Sequence, residues 1–152
     1  MENVKETVHT STLMRRIFKT KNMDAFFEEN GASFAVEGPF HQCLQSYCKQ
    51  KGLIPERVIQ SAQIARTYGH QLFNGTRQPS RDKVLQLAIA MGLTVEETQC
   101  LLIAADKGIL YPRVRRDAII IYGLKEKYSV MDVQEVLDHY QLTLLGGDTG
   151  DG

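Results

Sequence analysis

Residues 80–91, SRDKVLQLAIAM, restrict the fold more than any other stretch of the chain. Ser80 suits the N-cap of a helix running to Met91, and Val84, Leu85, Leu87, Ala88, Ile89, Ala90 and Met91 leave that helix apolar nearly all round. A helix with no polar face belongs in the middle of a fold, with other elements packed around it. The neighbouring sequence supplies helices for that purpose.

Upstream, Phe40, Cys43, Leu44 and Tyr47 recur at helical spacing over residues 40–51, which puts Gln42, Gln45, Lys49 and Gln50 on the outer face. Gly52 stops this helix where a left-handed residue costs least. Pro55 suits the first turn of a short helix whose apolar face continues through Val58, Ile59 and Ala62. Gln63-Ile64 reads as a tight turn, Ala65 to Phe73 as the next helix, and Asn74-Gly75 as its end. Thr76-Arg77-Gln78-Pro79 is a loop leading to Ser80. Downstream, Gly92 stops the apolar helix, and Thr94-Val95-Glu96-Glu97 is a capping-box pattern opening a fifth helix through Leu101, Leu102, Ile103 and Ala105. These five helices predict a compact all-α core over residues 40–106.

The flanks extend the helical reading. Residues 1–39 form an appendage in which 1–12 are polar and expected to fray. Leu13, Met14, Ile17 and Phe18, then Met23, Phe26 and Phe27, predict two short amphipathic helices or one broken one, with the paired phenylalanines folding back on the core. Residues 107–145 form a C-terminal extension. Its β-branched run, Ile119 to Ile121, has strand propensity, but a lone strand would have nothing to pair with. A helix from about Arg113 to Lys127 is therefore predicted, followed by one from Met131 to Tyr140 after the Ser129 cap. Residues 146–152 read as a disordered tail.

The chain holds 18 basic and 18 acidic residues, so its formal charge is zero. That balance hides a local excess. From Lys49 to Lys83, seven basic residues face only Glu56 and Asp82, a net +5, and the flanks are acidic. A basic centre of this kind suits an anionic polymer.

Other classes find less support. No run approaches the roughly 20 apolar residues that cross a bilayer, and the first residues lack a signal-peptide pattern, so a cytoplasmic protein without membrane contact is expected. Cys43, Cys48 and Cys100 are odd in number and lack C-x-x-C spacing, which favours buried reduced thiols over a disulfide framework or a zinc site. His9, His41, His70 and His139 stand singly, and neither a Gly-rich phosphate loop nor a paired-carboxylate signature is present. Neither an enzyme nor a cofactor is expected.

From Gly52 to Ser80 the spacing resembles the phage-repressor type of helix-turn-helix, the XRE or lambda-repressor-like family. Gly52-Leu53, Arg66-Thr67-Tyr68, Leu72-Phe73-Asn74-Gly75, Arg77 and Pro79-Ser80 occupy the places of its usual pattern. Leu85-Gln86-Leu87-Ala88 with Gly92-Leu93 matches what usually follows. The likeness spans residues 40–105, under half of the chain, and Tyr111 to Leu124 looks like an extension of some small bacterial regulators. It implies a five-helix lambda-repressor-like core carrying the N-terminal appendage and two C-terminal helices. Three positions depart from the pattern. Gln63 replaces a turn glycine and would bear the cost of a left-handed conformation. Ile59 replaces a small residue and would hold the two helices further apart. Gly69 replaces a buried apolar residue and would weaken its helix by about 1 kcal/mol.

In this family the recognition helix, here about residues 65–73, lies in the major groove. The resemblance implies that Arg66, Thr67 and Gln71 face base edges, with Tyr68 and His70 nearby. Arg can bond guanine through two donors, Gln can bond adenine likewise, and the Thr methyl packs on thymine. Asn74, Arg77, Arg81 and Lys83 would hold phosphates. The implied protein is a bacterial transcriptional regulator that binds double-stranded DNA, as a homodimer on a two-fold operator. An alternative of another class keeps the scaffold but not the DNA: a protein-interaction module docking a partner through the N-terminal helices or the Arg113–Tyr122 region.

Overall fold

A computed structural model describes residues 8–31 and 38–146. Among these residues every regular element is an α-helix. They are α1 (Thr10–Lys19), α2 (Met23–Glu29), α3 (Phe40–Gln50), α4 (Pro55–Ser61), α5 (Arg66–Asn74), α6 (Arg81–Ala90), α7 (Val95–Ala104), α8 (Arg115–Lys125) and α9 (Val130–His139). The chain divides into two compact units, Met1–Ala35 and Val36–Gly152.

The first unit holds α1 and α2. The helix begins earlier than the polar N-terminal sequence suggests: the His9 carbonyl accepts from the N–H groups of Thr12 and Leu13 (3.0 and 3.1 Å), so residues 10–12 are helical and not frayed. An apolar stripe starting at Leu13 needs a preceding turn to be presented on one face, and Thr10–Thr12 supply it. Asn22 caps α2 by accepting from Ala25 N–H (3.2 Å). Of the paired phenylalanines, Phe26 is buried and Phe27 is half exposed.

The second unit is built around α6, which buries every residue from Val84 to Ile89 and touches α4, α7 and α9. Ser80 caps it as its sequence indicates, accepting from Lys83 N–H (3.2 Å). The capping box at Thr94 and Glu97 closes both ways, at 2.9 and 3.1 Å. One hydrophobic core runs from Phe40 to Leu145, so the C-terminal helices share the core of the preceding five. The Ile119–Ile121 run is helical, as packing against α7 and α9 requires; Ile120 is fully buried. Of the expected tail, only Gly146 lies within the described residues.

The α6–α7 and α8–α9 segments are the same structure built twice. Thirty-five positions separate Arg81-Asp82 from Arg116-Asp117, and the same offset relates Val95 to Val130, Gln99 to Gln134, Leu102 to Leu137 and Leu110 to Leu145. The hydrogen bonds repeat with the sequence. Gln99 donates to Leu110 O and accepts from Leu110 N–H (3.0 and 2.8 Å), and Gln134 does both with Leu145 (2.9 and 2.8 Å). Ser129 and Asp132 repeat the capping box of Thr94 and Glu97.

The two copies are crossed at their first turns. Arg81 binds both carboxylate oxygens of Asp117 (3.2 and 3.0 Å), and Arg116 binds both of Asp82 (2.9 and 3.0 Å). Each arginine also reaches the end of its own copy, Arg81 at Gly108 O and Ile109 O, Arg116 at Thr143 O and Leu144 O. Each aspartate closes the other copy, Asp117 accepting from Tyr111 N–H and Asp82 from Gly146 N–H, both at 2.9 Å. Side-chain exposure is 6% for Asp117 and 3% for Asp82, so each carboxylate depends wholly on these partners.

Candidate nucleic-acid interface

Two short helices and the loop after them carry Arg57, Arg66 and Arg77 against the single acid Glu56. Ala62 ends α4, Gln63 adopts a left-handed backbone (φ 60°), and Ile64 is buried before α5 begins. An L-residue there costs about 1–2 kcal/mol, which the sequence accepts at Gln63. At the far end Gly75 (φ 84°) closes α5, and a Cβ at that position would meet the His41 ring at 2.7 Å. Gln45 on α3 donates to the Phe73 carbonyl (2.6 Å), satisfying one of the open acceptors of the last turn.

The expected spreading of α4 and α5 by Ile59 does not occur. Gly69 is buried, and a Cβ built on it would lie 2.4 Å from Ile59 Cγ2. The large and small residues have changed sides of the contact. Ile59 occupies the volume that a side chain at position 69 would fill, so two apparent departures compensate each other.

Burial fixes which face of α5 looks outward. Gly69, Leu72 and Phe73 point into the core. At about 100° per residue, Thr67, His70, Gln71 and Asn74 then form the outer ridge, with Arg66 on the edge toward α4 and Tyr68 on the edge toward the loop. Both edges carry charge. Glu56, in the first turn of α4, accepts from Arg66 Nε (2.6 Å) and lies 2.5 Å from His70 Nε2. The hydrogen bond from Arg66, then that from His70, holds the Glu56 carboxyl below the usual carboxylate range. Only Nε of Arg66 is used, and its side chain is 79% exposed, so both terminal nitrogens face solvent.

On the other edge Arg77 lies over the Tyr68 ring, with its guanidinium carbon 4.6 Å from the centroid, and donates to Gln71 Oε1 (3.1 Å). Lys83 reaches the same ring at 5.8 Å. Asn74 turns its oxygen back to Thr76 N–H (2.9 Å), which shapes the start of the loop. Arg66, Thr67, Tyr68, His70, Gln71, Asn74, Arg77 and Lys83 thus gather along α5, its adjoining loop and the first turn of α6.

Arg81 does not join them. All three of its guanidinium nitrogens are committed to Asp117 and to the Gly108 and Ile109 carbonyls. Lys51, another member of the basic window, pairs with Glu97 (3.2 Å). Two of the seven basic residues of the window are thus paired with acids from outside it. Glu56, by contrast, enters the site although the sequence marked it only as one of two acids in the basic window.

Burial pushes the thiols of Cys43, Cys48 and Cys100 above their ordinary value. Among the described residues no group of three or more His, Cys, Asp or Glu side chains is placed to hold a metal. No described helix is long and apolar enough to cross a membrane. Comparison with protein-family models, with curated proteins and with solved structures finds no match.

Proposed function

We propose that α4, the Gln63 turn and α5 form a helix-turn-helix of the phage-repressor type, and that the chain is a sequence-specific transcriptional regulator binding double-stranded DNA. The observation that carries this reading is the outer ridge of α5, polar along its length and bordered by the exposed Arg66 and by Arg77 laid on Tyr68. Such a ridge has the width and chemistry to enter a major groove, with Arg66, Thr67, His70 and Gln71 toward base edges. Asn74, Arg77 and Lys83 are the proposed phosphate contacts beside it. Arg81 leaves the phosphate set, because its donors are consumed within the fold. One module of this size contacts few base pairs, so a homodimer on a two-fold site is part of the proposal.

Electrophoretic mobility shift against a pool of random duplexes at two salt concentrations tests it. Retarded complexes at low salt that weaken steeply at higher salt are expected. Selection from the same pool with Arg66→Ala should return a flatter sequence preference than with the unaltered chain. Absence of any retarded complex at low salt would overturn the reading.

A second reading, a protein-interaction module without DNA binding, draws on a specific feature of the C-terminal helices. An apolar groove of about 410 Å³ runs between α8 and α9, bordered by Ile119, Tyr122, Tyr128, Val136, Tyr140 and the stem of Arg115. A stoichiometric protein partner whose capture survives charge reversal at Arg66 and Arg77 would favour this alternative.

A further inference from the structure

The two copies of the duplication differ in what covers them. In the first, α4 packs on α6 and α3 on α7, and Val84, Leu87, Leu101 and Ala105 are buried. Thirty-five positions on, Ile119, Tyr122, Val136 and Tyr140 border the open groove of about 410 Å³ between α8 and α9, with Tyr122 and Tyr140 each 49% exposed. The same positions are thus closed in one copy and open in the other. Along this groove α8 carries a stripe of four side chains, Arg115, Ile119, Tyr122 and Glu126, at steps of four, three and four residues. Such steps keep all four on one helix face. The spacing reads the same from either end, whereas the charge reverses, cationic at Arg115 and anionic at Glu126. Both charges are open in the single chain. Among the described residues Arg115 has no carboxylate partner and lies 5.9 Å from the centroid of the Tyr140 ring. Glu126 meets the adjacent Lys125 at 3.6 Å, with both side chains exposed.

We propose that this face is a self-association surface whose occupant is a second copy of the chain, the two α8 helices lying antiparallel across a two-fold axis. A two-fold interface must be self-complementary, and a stripe with palindromic spacing and opposite charges at its ends meets that condition with four residues. Antiparallel alignment about the middle of the stripe sets Ile119 of one copy against Tyr122 of its mate and Arg115 against Glu126, each contact occurring twice. The mate's α8 then closes the groove over Val136 and Tyr140, as α3 and α4 close the first copy of the duplication. Parallel pairing would oppose Arg115 to Arg115 and Glu126 to Glu126, so the charges fix the direction while the apolar middle drives association. A helix of another protein would need an acid for Arg115 and a base for Glu126 at this same spacing; a second copy supplies both. The stripe is only about 16 Å long at 1.5 Å per residue, so the dimer is expected to be weak and reversible. This face deepens the homodimer put forward under the proposed function and to that extent rests on that reading, yet its test involves no DNA, so that either can fail without the other.

Sedimentation equilibrium on the full chain, from about 10 to about 300 µM because a small interface binds weakly, supplies the test. The weight-average mass of the unaltered chain should rise with concentration from 17.2 kDa toward twice that value. Arg115→Glu and, separately, Glu126→Arg should each weaken the dimer at least about tenfold, since each opposes like charges at both contacts. An acid at the start of α8 and a base at its end suit the helix dipole, so both variants should keep their helix content by circular dichroism. An equimolar mixture of the two should recover the dimer, because both contacts are then matched in sign. Should either charge variant lose helix, Tyr122→Ala decides instead, again with a dimer at least about tenfold weaker expected. A monomeric unaltered chain would overturn the inference and leave the groove to a helix of another protein. Undiminished dimers of the charge variants, a mixture of folded variants that stays monomeric, or an undiminished Tyr122→Ala dimer would overturn it as well.

Discussion

A methyl group at position 69 would stand inside Ile59, and that single clash governs how α4 and α5 approach each other. Gly69→Ala gains helix propensity but overpacks the contact, so a net loss of about 1–2 kcal/mol in denaturant unfolding is expected. Ile59→Ala alone should cost about 2–4 kcal/mol through the cavity it leaves. The double variant should be more stable than the sum of the two by at least about 1 kcal/mol, because each change makes room for the other. Strict additivity would mean that the two side chains do not compete for one volume. Gln63→Gly should stabilise by up to about 1 kcal/mol, since it relieves a left-handed glutamine, and an unchanged midpoint would contradict the strain assigned there. All three residues drew notice in the sequence as departures from a pattern. Gln63 was legible as strain because the turn sets its backbone locally. The pairing of Ile59 with Gly69 was not, because compensation across a contact needs the contact.

At the scale of elements, the crossed Arg–Asp pairs bind the α8–α9 copy to the α6–α7 copy. Removing one member strands a buried carboxylate, so Arg116→Ala and Arg81→Ala should each cost about 3 kcal/mol in chemical denaturation. A loss below about 1 kcal/mol in both would assign the joint to apolar packing instead. Asp82 adds a pH dependence. Burial opposes its ionisation, but the Arg116 bonds and the Gly146 N–H overcome that and hold its carboxyl below the usual range. Its contribution is then complete above the unfolded carboxyl value of about 3.9 and drains away as pH falls through the lower folded value. The stability gap between the unaltered chain and Asp82→Asn should accordingly stay constant from neutral pH to about 5 and narrow below about 4. Helix placement along this region was legible from caps and apolar spacing: Ser80, Thr94 and Ser129 all sit where their hydroxyls accept from the first turn. The duplication was legible in principle from Arg-Asp and Gln at a constant offset, yet few positions are identical and the likeness lies mainly in hydrogen bonding.

For the molecule as a whole, zero net charge conceals an uneven distribution, and the fold redistributes it again. Lys51 and Arg81 belong to the basic window but are neutralised by Glu97 and Asp117 from outside it. Counting charges along the chain therefore overstated the site, because long-range pairing is invisible to a window. The ridge of α5 could be read more directly, since an amphipathic helix with known buried positions fixes its own outer face. The proposal that this ridge lies on DNA makes a sharp distinction between two arginines only four positions apart. Fluorescence anisotropy of a labelled duplex, titrated over a series of salt concentrations with Arg77→Ala and Arg81→Ala beside the unaltered chain, tests it most directly. Arg77→Ala should weaken binding to every sequence and flatten the slope of log K against log salt by about one, while folded Arg81→Ala leaves that slope unchanged. Binding that is absent at low salt, or a slope that Arg81→Ala alters and Arg77→Ala does not, would contradict the assignment.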